Sequence, residues 1–344
     1  MVNDKIFVSV LMSVYSEAPA TLKEAIDSIL NQTISNLEFF VYLDKPDNDK
    51  LWAFLQECAA KDERLIIHRN EKNRFLAGTL NDELKLAKGD YIVRMDGDDI
   101  SVPFRIEHLV NFMEAHPEVG VASSWMQEFG HERKRKNRVV KYEDDFEKMK
   151  VNYLCQTPIA HAPCIIRRSI IQQFGPALYN ERCSKTQDYE LWSRLIQSGV
   201  ILGMVNEPLY LRRRTQGAGL NPIKYQIIHN QVARKNMKLV LEQVGIELPD
   251  RVRGDMIAPI HTAIKSSSGL LKNQLKMIQC ILYGNVYDNS YKRIVAMLFN
   301  GDLLCLSVLS SRLKAYFCFV GKLTDMNNLV TSPDQIIYAN TSSI

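Results

Sequence analysis

Three carboxylates and one glycine close the stretch Tyr91–Ile100, YIVRMDGDDI. Tyr91, Val93 and Met95 alternate with Ile92 and Arg94 in a β-rich run, so the spacing predicts a strand. That strand ends in Asp96, Asp98 and Asp99 around Gly97. Clustered carboxylates at the end of a buried strand are costly, because like charges repel and burial disfavours ionisation. A divalent cation with hard oxygen ligands, shared with a substrate phosphate, is the usual compensation. Gly97 is expected to let the backbone turn so that the carboxylates converge. An acidic, solvent-exposed turn accounts for DGDD equally well, since Asp and Gly are ordinary turn residues. The elements around it have to decide.

Those elements alternate. Ile6–Val14 reads as a buried strand, followed by a helix from Pro19 with Leu22, Ala25, Ile26, Ile29 and Leu30 on one face. Leu37–Leu43 is a second strand ending at Asp44, then a helix from about Asp49 to Ala60. Arg64–His68 is a third strand, Asn70–Arg74 a polar loop, and Leu76–Ala87 a helix leading into the DGDD strand. This order and spacing predict an α/β, Rossmann-like, doubly wound and mostly parallel sheet. Ligands of such sheets bind beyond the carboxyl ends of the strands. Tyr15, Asp44, Asn70 and Asp96–Asp99 all fall there, which favours the chemical reading of DGDD. No GxGxxG follows the first strand and no GxxxxGK[ST] is present, which disfavours a dinucleotide enzyme and a P-loop NTPase.

Downstream, a helix is expected from Pro103 to about His116, strands at Val119–Trp125 and Cys164–Arg168, and a helix over Glu143–Tyr153. Gly130–Lys141 is basic and reads as a charged loop ahead of a phosphate-binding patch. Asp188 opens a helix whose Leu191, Trp192 and Leu195 face a core; by itself it is best explained as a carboxylate at a helix N-terminus. Two short strands, Val200–Val205 and Leu209–Arg213, follow. From Pro222 the period becomes helical, over Ile223–Val244, Met256–Ile264, Leu270–Tyr283, Tyr291–Phe299 and Leu303–Val320.

The 344 residues suffice for one large core or two domains, and the expected division is 1–220 and 221–344. The net charge of +4 is unevenly spread: 29 Lys and Arg face 31 Asp and Glu through Leu220, and 14 face 8 from Asn221 onward. Seven scattered cysteines without CxxC or zinc-like spacing fit a reduced, cytosolic setting. The N-terminus carries no signal-peptide pattern, and no apolar run approaches the roughly 20 residues needed to cross a bilayer.

Five motifs, in order, then make a resemblance: SVLMSVYSE, FFVYLD, RNEKNRFLAGTLND, GDYIVRMDGDDIS, and TQDYELWSRL followed by LYLRRR. From about Phe7 to Leu220 the chain resembles glycosyltransferase family two, with the GT-A fold, and most of all the bacterial enzymes that build O-antigen or capsule repeating units. The resemblance implies an inverting transfer of a hexose, glucose or galactose, from a UDP-sugar to a lipid-pyrophosphate-linked saccharide. It implies Tyr15 against the nucleotide base, Asp44 accepting a hydrogen bond from uracil, and Asn70 and Arg74 in the nucleotide-sugar loop. Asp96 would lie near the ribose, Asp98 would bind Mn2+ or Mg2+ on the diphosphate, and Asp188 would be the general base. Three positions depart from the family pattern. Phe75 stands where a glycine is usual, Gln187-Asp188 replaces Glu-Asp, and Arg214 stands where a histidine is frequent; an arginine can neutralise phosphate but cannot ligate a metal.

Two other readings compete. A nucleotidyltransferase also pairs such a sheet with metal-binding carboxylates, but YSEAPAT does not look like its glycine-rich basic loop. A catalytically degenerate sugar-nucleotide binding protein fits Phe75 and Arg214 but not an intact Asp98 and Asp188. The C-terminal region is expected to pack on the α/β domain, to form a homodimer, or to lie on an anionic membrane at the inner face of the cytoplasmic membrane. A nucleic-acid partner is not expected.

Overall fold

The computed structural model describes residues 5–130, 138–183, 185–214, 222–248 and 257–283. The chain divides into two units, Met1–Met149 with Thr157–His229, and Lys150–Gln156 with Asn230–Ile344.

The first unit begins with alternating strands and helices. They are β1 (Val8–Val14), α1 (Pro19–Leu30), β2 (Leu37–Leu43), α2 (Asp49–Ala59), β3 (Leu65–Arg69), α3 (Phe75–Leu86) and β4 (Tyr91–Asp96). β5 (Ile100–Ser101), α4 (Arg105–Ala115), β6 (Val119–Gly130), β7 (Val139–Val140) and α5 (Phe146–Asn152) follow. The succession continues with β8 (Ile165–Arg167), α6 (Arg168–Phe174), α7 (Gln187–Gln197), β9 (Ile201–Arg214) and α8 (Pro222–Glu242). The described strands form one sheet in the order β3-β2-β1-β4-β8-β6-β9-β5, with β7 on β6. β1 through β4 are parallel, β8 runs antiparallel to both β4 and β6, and β9 is parallel to β6.

The central strands are buried on both faces, which is why their sequences run apolar rather than alternating. The Pro19 that opens α1 costs no hydrogen bond there. Its Leu22, Ile26 and Ile29 are sealed in the core, and full burial of such a side chain is worth about 1.5–3 kcal/mol. The Asn48 side chain caps α2 by accepting from the Leu51 N–H at 3.1 Å.

Register fixes where the strands stop. Val14 pairs Leu43, Leu43 pairs Arg69, and Ser13 pairs Asp96. The residues just beyond β1, β2, β3 and β4 therefore share one edge of the sheet. β9 returns to that edge, because Ile100 pairs Leu211 and Ser101 pairs Tyr210.

Several elements differ from expectation. Val200–Val205 and Leu209–Arg213 are one strand, β9; Asn206 and Glu207 bulge between Val205 and Pro208, which pair Ser124 and Trp125 of β6. β6 extends five residues past Trp125, to Gly130. Glu143–Tyr153 is helical only over Phe146–Asn152, and Cys164–Arg168 shortens to β8 before α6 begins. Gly97 has no left-handed backbone. What excludes a side chain there is space, since a Cβ would lie 2.8 Å from Val14 Cγ1. Most of the basic loop, 131–137, lies outside the described residues.

In the second unit, α9 (Ile257–Ser266) and α10 (Gly269–Tyr283) accompany the later part of α8. Asn236 Nδ2 donates to the Tyr153 carbonyl and Gln274 Nε2 to the Lys150 carbonyl, both at 2.9 Å, so the segment 150–156 is tied into this unit. Met237, Val240, Leu241, Ile260, Leu275, Met277 and Ile278 are buried. No helix among the described residues is long and apolar enough to cross a membrane. The helices expected at Tyr291–Phe299 and Leu303–Val320 lie outside the described residues.

Candidate functional site

The shared edge gathers most of the residues singled out from sequence. Asp44 follows β2 and is buried. Its Oδ1 accepts from Asn70 Nδ2 at 2.8 Å and from the Arg74 backbone N–H at 2.6 Å. Asn70 is fixed in turn by a second donation to Thr79 Oγ1 at 3.0 Å. This side of the edge is thus a hydrogen-bonded polar cluster. Tyr15, at the end of β1, is 45% exposed with Lys45 Nζ 5.5 Å from its ring centre. Its N–H donates to Glu17 Oε2 at 2.7 Å.

The Arg74 guanidinium is engaged by two carboxylates, Asp82 at 3.1 Å and Glu181 at 3.3 Å, linking the start of α3 to the loop before α7. Asn81 makes the same link: its Nδ2 donates to the Tyr179 carbonyl and its Oδ1 accepts the Tyr179 N–H, each at 2.9 Å. Phe75 sits between these anchors at φ 55°, the left-handed conformation that suits glycine, and is 61% exposed. The backbone shape expected of a glycine is retained at this position, with strain.

The DGDD turn is densely charged. Buried Arg94 pairs through Nη1 with Asp96. Burial, then the Asp96 carboxylate, raises the Asp98 carboxyl above its usual range. Burial and then Asp96 and Asp98 push Asp99 up to about 8. Asp99 Oδ1 accepts the Arg213 N–H at 2.6 Å, and Arg213 Nε donates to the Asp98 carbonyl at 2.8 Å. Glu17 stands near as well, raised by burial with Asp98 contributing. The carboxylates of this turn are under-compensated, as expected of a site that takes a cation. Among the described residues no group of three or more His, Cys, Asp or Glu side chains is arranged to enclose a metal. A cation held by one or two carboxylates and completed by phosphates and water needs no such group.

Asp188, in the first turn of α7, is part-buried and belongs to the same field. Burial raises its carboxyl. The Tyr189 and Asp188 N–H groups and Arg94 oppose the rise, and Asp96 adds to it. The N–H groups of the helix start act as they would on any carboxylate at that position, and burial outweighs them.

Arg214 and Arg213 alternate along β9. Arg213 takes the DGDD turn, while Arg214 Nη2 lies 2.5 Å from buried Glu128 on β6. A Cβ at Gly130 would meet the Arg214 carbonyl oxygen at 2.7 Å, so a bare glycine brings the two strand ends together. No local sequence pattern singles out Arg94, Arg213, Glu17 or Tyr210, whose Oη accepts the Asp96 N–H at 3.1 Å. The one available signal was an arginine inside a buried strand two residues before DGDD.

The model of Glycosyl transferase family 2 matches residues 9–175. An uncharacterized glycosyltransferase of Methanocaldococcus jannaschii is 31% identical over 59% of this chain and 69% of its own length. The amylovoran biosynthesis glycosyltransferase AmsE of Erwinia amylovora is 29% identical over 74% of this chain and 92% of its own. An Escherichia coli UDP-Gal:alpha-D-GlcNAc-diphosphoundecaprenol beta-1,3-galactosyltransferase is 28% identical over 56% and 68%. Among solved structures, a mannosyltransferase from Pyrobaculum calidifontis in complex with GDP-Man and Mn2+ superposes with a TM-score of 0.52 at 17% identity, covering 91% of this chain and 83% of that one. The expected GT-A α/β architecture is the architecture of these neighbours.

Proposed function

Because this chain belongs to glycosyl transferase family 2, we propose that it transfers a hexose, glucose or galactose, from a UDP-sugar to a lipid-pyrophosphate-linked saccharide in bacterial surface polysaccharide synthesis, with inversion at the anomeric carbon. The observation that carries this reading is the common field of Asp96, Asp98 and Asp188 around Arg94, on the same sheet edge as the hydrogen-bonded pair Asp44 and Asn70. The E. coli relative, which uses UDP-Gal and a diphosphoundecaprenol acceptor, supports the donor and acceptor classes.

Asp44 accepts a hydrogen bond from the base, Tyr15 covers it, and Asn70 with Arg74 shapes the loop that holds Asp44. Asp96 sits toward the ribose. Asp98 would hold Mn2+ or Mg2+, which would supply stabilisation of negative charge on the departing diphosphate. Asp188 takes the proton of the attacking acceptor hydroxyl. Its raised carboxyl keeps it a better proton acceptor than an exposed aspartate. Arg214 reaches the diphosphate only by leaving Glu128. The basic region after residue 221 contacts anionic lipid and brings the enzyme to its acceptor.

A panel of UDP- and GDP-sugars against a synthetic GlcNAc-pyrophosphate-lipid, with Mn2+ and with EDTA, tests the reading. Transfer from UDP-Glc or UDP-Gal that EDTA stops is the expected result. Donor binding without turnover would favour a degenerate binding protein, and formation of a nucleotide-sugar from a nucleoside triphosphate would favour a nucleotidyltransferase.

A further inference from the structure

His161 lies in the turn that leads into β8, and its carbonyl accepts the Cys164 N–H at 3.1 Å. The Cys164 carbonyl in turn accepts the Arg94 N–H at 3.1 Å, so this turn is laid directly beside the end of β4. On its other side the His161 ring meets the edge of Trp192, ring centres 6.0 Å apart. Trp192 is one helical turn beyond Asp188, on the same face of α7. His161 therefore stands between the Arg94–Asp96 pair and the Asp188 helix. In a single displacement the sugar must also lie between the leaving diphosphate and the attacking hydroxyl.

The ring is held in one state. His161 Nε2 lies 2.9 Å from Tyr179 Oη, and Tyr179 is itself fixed at both backbone groups by Asn81. Burial keeps the Tyr179 phenol protonated, and a phenol O–H beside a neutral imidazole pairs best as the donor to the unprotonated ring nitrogen. Burial, then the Arg94 charge, holds the imidazole well below its usual range and hence neutral. With Nε2 accepting, the proton resides on Nδ1. Among the described residues Nδ1 has no hydrogen-bond partner, and it is not one of the polar atoms sealed from solvent. A neutral, oriented N–H donor left open beside reacting carboxylates suits a hydroxyl.

We propose that His161 is a specificity-determining residue whose Nδ1–H binds a hydroxyl of the hexose held between Asp98 and Asp188, with Tyr179 as the positioning residue that fixes its tautomer. This rests on the glycosyl-transfer reading above. The hydroxyl belongs either to the donor hexose or to the acceptor saccharide.

Asn and Gln separate the two ring nitrogens, because an Asn amide reaches the Nδ1 position and a Gln amide the Nε2 position. In the full chain, His161→Gln should lose about ten- to hundredfold in kcat/KM. His161→Asn should stay within roughly threefold of wild type, the open donor being retained. UDP affinity by calorimetry should match wild type in both, and melting temperature should fall only in His161→Asn, where the buried Tyr179 hydroxyl loses its partner. Tyr179→Phe, which frees the tautomer, should lose activity without losing UDP affinity. A loss that persists in donor hydrolysis without acceptor assigns the hydroxyl to the donor; a loss confined to acceptor KM assigns it to the acceptor. His161→Gln matching or exceeding His161→Asn overturns the proposal, as does a parallel fall of UDP affinity or melting temperature in both. Wild-type transfer is the control: a chain that turns over no UDP-hexose overturns the glycosyl-transfer reading and this one with it.

Discussion

Asp188 is the residue at which a structural and a chemical role predict opposite outcomes. Its folded carboxyl is a weaker acid than in the unfolded chain. Stability from this group is therefore complete below the ordinary aspartate range and is lost as pH rises through the raised value. Asp188→Asn should raise the melting temperature at neutral pH, and the gain should vanish in acid below the usual Asp range. It should also lower kcat by roughly 10²–10⁴ with UDP affinity unchanged. In the wild type, the acid limb of the kcat profile should lie above the pH where an exposed aspartate titrates. Calorimetric melts, UDP titration and a pH-rate profile check all three. A fall in stability together with lost UDP binding would return Asp188 to a helix-terminus role. Asp44 belongs to the other half of the reaction. Its hydrogen bond to the base would be the same in ground and transition states, so Asp44→Ala should raise donor KM and leave kcat at saturating donor near wild type. Steady-state kinetics with varied UDP-sugar measure this.

At the scale of elements, β9 sorts two adjacent arginines to opposite partners. Arg214→Ala strips the partner from buried Glu128 and should cost roughly 1–3 kcal/mol of stability, the penalty of an unpaired buried acceptor. Donor KM should change little if Arg214 stays on Glu128 and should rise markedly if it swings to phosphate, so melts and kinetics on one variant separate the two. The start of α3 is strained at Phe75, whose side chain is largely exposed. Phe75→Gly should be more stable than Phe75→Ala by about 1 kcal/mol, since only glycine accepts a left-handed backbone freely. Denaturant melts of the pair check this.

The same elements show what the sequence could reveal. The β1–β4 succession was legible because apolar strands and amphipathic helices alternate with clear periods, and the carboxylates at the strand ends followed from it. β9 was split in two because Pro208 with two polar neighbours reads as a break; a bulge carried by pairing with β6 is a tertiary fact. Arg94 was read as the polar side of an alternating strand. Its burial against Asp96, and the choice of Arg213 over Arg214 for the DGDD turn, depend on neighbours more than a hundred residues apart in the second case, which no local pattern encodes.

Over the whole molecule the charge is divided, with a net −2 through Leu220 and a net +6 after it. The basic part includes LLCLSVL at Leu303–Leu309 and AYFCFV at Ala315–Val320, the latter between Lys314 and Lys322; these segments lie outside the described residues. Each basic residue near an anionic surface contributes about 1 kcal/mol, so a few suffice for reversible attachment. Because that attraction decays over a Debye length of about 8 Å at physiological salt, attachment should weaken as salt rises. The full chain should float with vesicles containing anionic lipid at low salt, remain behind with neutral vesicles, and detach in high salt. Replacing Arg312, Lys314 and Lys322 together by Gln should reduce the floated fraction and leave transfer to a soluble acceptor analogue unchanged. Equal absence from anionic and neutral floated fractions at low salt would remove lipid contact, and the apolar segments would then be assigned to packing on the chain or on a second copy. Sedimentation of the same sample at rising concentration would distinguish those two, because only the second copy makes the mass depend on concentration.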